Sequence, residues 1–180
     1  MHVINSTPTP LDHACNTTLF YYTPNPGLPP IKDLLHDCSI RDDLLSPYVR
    51  GILQVCFLYH CRVSELLLVS FSDIIHPDRV ICTGLKRSNS YVIYLPGLSA
   101  QIDTCNIIHE SDKLFQATYS NLYRSCLRAG IRLDTHDSKT TKRLHVARFL
   151  FCKDAIKITD EANVSQCMRH RALSSLQYYL

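Results

Sequence analysis

The sequence predicts a mainly α domain of the α+β class, with helices packed around one small antiparallel β-sheet. Apolar residues recur at three- and four-residue intervals through most of the chain beyond residue 40, the mark of helices with a buried face. The period drops to two in only two short stretches, 79–83 and 91–95, which hold Val80, Ile81, Thr83, Tyr91, Val92 and Ile93, residue types that suit a pleated surface. Six of the nine prolines fall within residues 1–30, where they deny both helix and central strand.

Residues 1–30 are therefore expected to form a proline-rich arm or linker, and residues 31–180 the folded domain. Residues 31–38 suit one short helix. A longer helical pattern starts near Arg41 and Asp42 and carries Leu44, Leu45, Tyr48, Ile52 and Val55, with Pro47 early enough to lie in a first turn. Apolar density then runs to Leu58, breaks at the polar insert of Arg62, Ser64 and Glu65, and resumes over residues 66–69. This predicts two buried helices joined by a tight turn, with Ser64 as a candidate cap for the second. The strands 79–83 and 91–95 read as a β-hairpin with Lys86 near the start of its connection, and Pro96 and Gly97 end it. Further helical patterns cover 114–129, with Gly130 as a C-terminal stop, then 138–154 and 163–180. No internal repeat is present.

Hydrophobic residues make up 46% of the 180-residue chain and charged residues 19%, enough to bury one sizeable core without a disulfide scaffold. The most apolar stretch, 51–70, is interrupted by His60, Arg62 and Glu65, and the first residues lack the layout of a secretory signal. The reading is a soluble intracellular protein, cytoplasmic, nucleoid-associated or nuclear, with no membrane partner. Nine cysteines form an odd set with no C-x-x-C pair, which argues against a zinc site. Cys56, Cys61, Cys82, Cys126, Cys152 and Cys167 sit among apolar neighbours and are expected to act as small hydrophobes.

Net charge is only +3, but its distribution is uneven. Between Arg124 and Arg171 there are eleven Lys or Arg against five Asp or Glu, whereas residues 1–50 hold three against five. A basic second half suits a phosphate backbone, although the default expectation for a charge run is a solvated face.

Five places concentrate chemically capable residues in a fixed order: Arg62, followed by Glu65 and Leu66; Lys86; His145 with Arg148 one helical turn later; His170; and Tyr179, nine residues beyond it. In this order the chain resembles the catalytic domain of the tyrosine recombinase, or phage integrase, family. Arg62, Glu65, Leu66, Ser72 and Asp73 match the family's first signature, Lys86 its hairpin lysine, His145 and Arg148 its H-x-x-R box, and Met168, Arg169, His170 and Tyr179 its Leu-Gly-His and tyrosine. The similarity runs from about Asp42 to the last residue. Arg169 departs from the pattern by standing where the family has glycine. Family members normally continue past the tyrosine into a segment that docks on a neighbouring protomer; here Leu180 alone follows.

The resemblance implies a site-specific DNA recombinase that cleaves and rejoins strands through a 3′-phosphotyrosine, as mobile elements use, with Arg62, Lys86, His145, Arg148, His170 and Tyr179 as its catalytic set. It implies no cofactor and no metal. Double-stranded DNA is the implied partner, with a homotetramer assembled on paired sites. Most relatives carry a DNA-clamping domain ahead of the catalytic one, so the resemblance implies a minimal recombinase, a fragment of a longer one, or a protein that relies on an accessory DNA-binding factor.

The residue types agree with such chemistry. A tyrosine hydroxyl can stay attached to the phosphate as an ester and so conserve the bond energy. A free tyrosine titrates near pH 10, so neighbours must assist it. Negative charge growing on the non-bridging oxygens favours fixed cationic forks, which arginine supplies and lysine does not. By the resemblance, Lys86 protonates the leaving 5′ oxygen, His145 moves the tyrosine proton and His170 donates to the phosphate.

Plainer readings stand beside these. Arg62 pairs with Glu65 on a helix surface; Lys86 is a solvated turn lysine, or Arg87 takes its place; either histidine is satisfied by packing; Tyr178 rivals Tyr179; and Tyr91, Tyr94, Tyr119 and Tyr123 serve core and hairpin packing. Two other functions share the fold or the chemistry: a non-catalytic DNA-binding protein, and a type IB topoisomerase-like enzyme.

Overall fold

A helix that is apolar on every side must be surrounded by protein, and the stretch after Ser46 becomes one. The computed structural model describes residues 20, 22–23, 27–85, 88–104, 109–131, 144 and 146–169, with backbone alone at Val146. Helix α1 covers Ile31–Leu34, and α2 covers Pro47–Leu58. Pro47 is the first residue of α2, and the Ser46 hydroxyl accepts the Val49 N–H at 3.4 Å. The helical pattern read from Arg41 onward is therefore split: Asp42–Leu44 form a 3₁₀ turn, Leu45 is extended, and α2 starts only at the serine cap. Every residue of α2 from Gly51 to Phe57 is buried, and α2 packs against α1 and two later helices, α5 (Tyr119–Arg128) and α6 (Val146–Ala155).

Helix α2 stops in a left-handed residue, His60 at φ 49°. The Cys61 N–H reaches back to the Cys56 carbonyl at 3.1 Å and the His60 N–H to that of Phe57 at 3.3 Å, the paired bonds that close a helix end. Helix α3 (Val63–Leu66) follows at once. Its cap is not Ser64, which lies inside it. The residue before the helix is Arg62, and Glu65 in the first turn accepts the Arg62 N–H at 3.2 Å.

The sheet has three antiparallel strands in the order β1 (Ile74–His76), β2 (Arg79–Cys82) and β3 (Tyr91–Tyr94). Strands β2 and β3 are the expected hairpin, with Val80 opposite Ile93 and Cys82 opposite Tyr91. Val80, Cys82 and Ile93 point into the core, while Val92 and Tyr94 face outward. Strand β1 escapes a pattern search because it is three residues long and its pairing with β2 is irregular between Ile74 and His76.

Helix α4 (Leu98–Ile102) follows Gly97, whose φ of 76° turns the chain out of the sheet; this short helix has no periodic signal of its own. Helix α5 begins at Tyr119 rather than at residue 114, because the Thr118 hydroxyl caps it by accepting the Asn121 N–H at 3.2 Å. Gly130 ends it in the left-handed region at φ 75°. Helices α6 and α7 (Glu161–Cys167) are the described parts of the last two helical patterns; residues 138–143 and 170–180 lie outside the described residues.

One continuous core links α2, α3, the sheet and α5, and a smaller cluster of Cys152, Ala155, Val164 and Met168 joins α6 to α7. Within the region read as an arm, Phe20 and Tyr22 are buried: Phe20 meets the Phe71 ring edge-on at 5.2 Å, and the Tyr22 hydroxyl donates to the Pro96 carbonyl at 3.1 Å. The core thus takes in residues ahead of position 31. Five of the six cysteines expected to act as hydrophobes are buried, but Cys167 is exposed. No helix among the described residues is long and apolar enough to cross a membrane.

Candidate active site

The site is built on the turn between α2 and α3. Arg62 follows that turn, and its Nη1 donates to Glu65 Oε1 and to the Ser88 hydroxyl, both at 2.6 Å. Glu65 is fully buried and takes two more donors, the Leu85 N–H at 3.0 Å and the Tyr91 hydroxyl at 3.1 Å. Burial by itself pushes the Glu65 carboxyl up, but the Leu85 N–H and the Arg62 guanidinium outweigh it and hold it below the usual carboxylate range. Burial also raises the Tyr91 hydroxyl, with Cys61, Cys82 and Glu65 adding to the effect, so the phenol keeps its proton and serves as donor. Arg62 is thus no exposed surface pair with Glu65: its side chain is only 13% exposed.

Leu85 and Ser88 flank Lys86 and Arg87, which lie outside the described residues. Both flanking residues are tied to the Arg62–Glu65 pair, so the neck of the hairpin loop is fastened beside Arg62. The neck is tight. A Cβ on Gly84 would fall 2.4 Å from the Ser88 carbonyl oxygen and 2.5 Å from that of Asn89, leaving room only for glycine.

Arg148, in the first turn of α6, is 1% exposed. Its Nη1 donates to the His60 carbonyl and its Nη2 to the Met168 carbonyl at 3.0 Å. These acceptors belong to the C-terminal ends of α2 and α7, where unpaired carbonyls and the negative end of the helix dipole attract cations. Arg148, 86 positions beyond Arg62 in sequence, therefore holds the turn that ends two residues before Arg62, while the Arg62 guanidinium itself is directed to Glu65 and Ser88.

Two groups that sequence reasoning left unassigned belong here. The His60 ring stacks on Phe151 at 4.2 Å between centroids, and burial, then Arg148 and Arg169, push its pKa down to about 4, so it is neutral near pH 7. Arg169 donates to the carbonyls of Tyr59 and His60 and lies over the Tyr91 ring. Tyr91 accordingly belongs to this cluster and not simply to hairpin packing. Neither role has a signal in the sequence, because a backbone carbonyl acceptor looks alike at every position. His145, His170, Tyr178 and Tyr179 lie outside the described residues. Among the described residues there is no cluster of His, Cys, Asp or Glu suited to hold a metal ion.

By sequence the chain matches no family model, and no curated protein is found similar to it. Solved structures give a different result. The catalytic domain of bacteriophage HP1 integrase aligns with a TM-score of 0.50 at 19% identity, over 83% of this chain and 82% of that one. XerA recombinase aligns with a TM-score of 0.50 at 15% identity, over 82% of this chain and 55% of its own length. The overall fold is like that of these tyrosine-recombinase catalytic domains.

Proposed function

We propose that this protein is a site-specific DNA recombinase that cuts and rejoins strands through a covalent bond between Tyr179 and a 3′ phosphate. The observation that carries this reading is the fastening of the residues flanking Lys86 to the Arg62–Glu65 pair, beside the α2–α3 turn whose His60 carbonyl Arg148 holds. The fold likeness to HP1 integrase and XerA recombinase supports it.

In this reading the Tyr179 oxygen attacks phosphorus and loses its proton with help from His145. The bond from phosphorus to the 5′ oxygen breaks, and Lys86 supplies the proton that the leaving oxygen requires. Arg62 and a hydrogen bond from His170 stabilise the charge that builds on the non-bridging oxygens, and Arg148 joins them once an Nη donor turns from the His60 or Met168 carbonyl to the phosphate. No metal step is invoked. The second strand's 5′ hydroxyl then reverses these steps on the tyrosyl ester. One nucleophile cuts one strand, so exchange between duplexes calls for several protomers; a homotetramer on paired sites meets that need, with an accessory DNA-binding factor as a further candidate partner. The protein would act inside the cell, wherever its DNA lies.

The test is a pool of nicked, random-sequence duplexes, in which a cut strand loses its short 5′-hydroxyl product and traps the ester. The expected result is a denaturant-resistant protein–DNA adduct that Tyr179→Phe abolishes while DNA binding persists. Binding with no adduct would make this a non-catalytic DNA-binding protein of the same fold. Relaxation of supercoiled plasmid without strand exchange would make it topoisomerase-like. An adduct that survives Tyr179→Phe and vanishes in Tyr178→Phe would move the nucleophile by one residue.

A further inference from the structure

Arg169 occupies a backbone conformation that ordinarily selects glycine. Its φ is 59°, directly after the end of α7, and its N–H closes that end on the Gln166 carbonyl at 2.9 Å. Glycine would hold this turn without a steric cost, and the family resemblance places glycine there. A side chain kept in the left-handed region needs contacts that over-determine it.

Those contacts are present. Nη2 of Arg169 donates to the His60 carbonyl at 2.8 Å, and Nη1 and Nη2 each lie 3.2 Å from the Tyr59 carbonyl. Its Cζ sits 3.7 Å above the centroid of the Tyr91 ring, within the range of a cation–π contact. Tyr91 in turn donates to Glu65, the carboxylate that holds Arg62. One guanidinium therefore joins the end of α7, the end of α2 and strand β3, and is linked to Arg62 by two routes: along the chain through His60, and through the Tyr91 ring to Glu65.

We propose that Arg169 is a positioning residue for strand cleavage: it locks the end of α7, which leads directly into His170, against the turn that presents Arg62. The inference rests on the recombinase reading above. Arg169 does not touch DNA in this scheme, since both its Nη atoms are directed to protein carbonyls and its Nε is buried. It fixes how two parts of the catalytic set, distant in sequence, stand relative to one another. Both features of the side chain are needed, a planar fork for two neighbouring carbonyls and a flat face for the ring, and lysine has neither.

The experiment measures single-turnover adduct formation on the nicked duplex pool at saturating DNA for the wild type, Arg169→Gly and Arg169→Lys, together with DNA affinity. Both variants are expected to slow adduct formation by about tenfold to a hundredfold, the scale on which misplacing a reacting group acts, with affinity within about twofold. That split separates positioning from a general loss of folded protein, which lowers the active fraction without slowing the molecules that remain. Arg169→Lys keeps the charge and most of the side-chain volume, so it decides the matter if the glycine variant does not fold. Wild-type rates in either variant overturn the inference. A wild type that forms no adduct at all overturns the recombinase reading on which it stands, a separate and distinguishable result.

Discussion

Arg62 Nη1 lies 2.6 Å from Glu65 Oε1, and the acid of this pair is wholly enclosed while the base keeps one edge near the surface. A buried carboxylate is costly unless its lone pairs are met by donors. Glu65 meets four: the Arg62 guanidinium, the Arg62 N–H, the Leu85 N–H and the Tyr91 hydroxyl. The pair is therefore a fixed joint between the α3 cap, the hairpin neck and strand β3, and Arg62 is held in place by it.

Glu65→Gln removes the charge and turns half of an acceptor into a donor facing other donors. Unfolding by urea should show a loss of about 3 kcal/mol, the scale for breaking one side of a buried ion pair. The pH dependence gives a second check. Because the folded carboxyl titrates below its ordinary value, its stabilisation is complete above the unfolded value, near pH ~4.3, and is lost as pH falls through the lowered folded value. The wild type should lose stability over that acid range, and Glu65→Gln should lose less.

His60 sets a different window. Its folded pKa is about 4 against an ordinary 6.5, so between these values the unfolded chain takes up a proton that the folded one refuses. Stability attributable to His60 is complete above pH 6.5 and falls as the pH is lowered toward 4. His60→Asn, with a residue that tolerates the left-handed φ of 49°, should flatten the stability curve in that window. An unchanged slope in a urea series from neutral pH downward would contradict the assignment.

Arg148→Lys keeps a charge in a buried place but cannot span two carbonyls with a rigid fork. Thermal unfolding should reveal a loss of about 1–3 kcal/mol, as for an unmet buried polar group. Single-turnover cleavage should fall far more than DNA affinity. Equal cleavage rates for variant and wild type would remove Arg148 from the catalytic set.

Gly84→Ala places a methyl group against the backbone oxygens of Ser88 and Asn89, which cannot swing aside as a side-chain tip does. The neck of the hairpin must open, at a cost of about 1–3 kcal/mol, and the Ser88 contact to Arg62 loosens with it. Melting temperature and adduct formation should fall together. A variant as stable as the wild type would show that the neck tolerates a side chain.

Much of the fold is legible in the sequence because its signals are local. The apolar run of α2, the proline in its first turn, the β-branched strands of the hairpin and Gly130 beyond α5 each act on their immediate neighbours, and the structure places them accordingly. Where short elements carry no period the reading fails: β1, α4 and the 3₁₀ turn at Asp42–Leu44 are too brief to express one, and tertiary packing completes them.

The order of Arg62, Lys86, His145, Arg148, His170 and Tyr179 along the chain is a property of the sequence, and so is the resemblance that gives that order a meaning. How two of these residues are held is decided elsewhere. Arg148 binds backbone carbonyls at the ends of α2 and α7, and Arg62 is held by Glu65, which gathers four donors from three positions spread over 30 residues. Carbonyls carry no residue identity, and the convergence of distant segments on one carboxylate exists only once the core has closed around it; the physical reason is that these bonds depend on where helix ends fall in space.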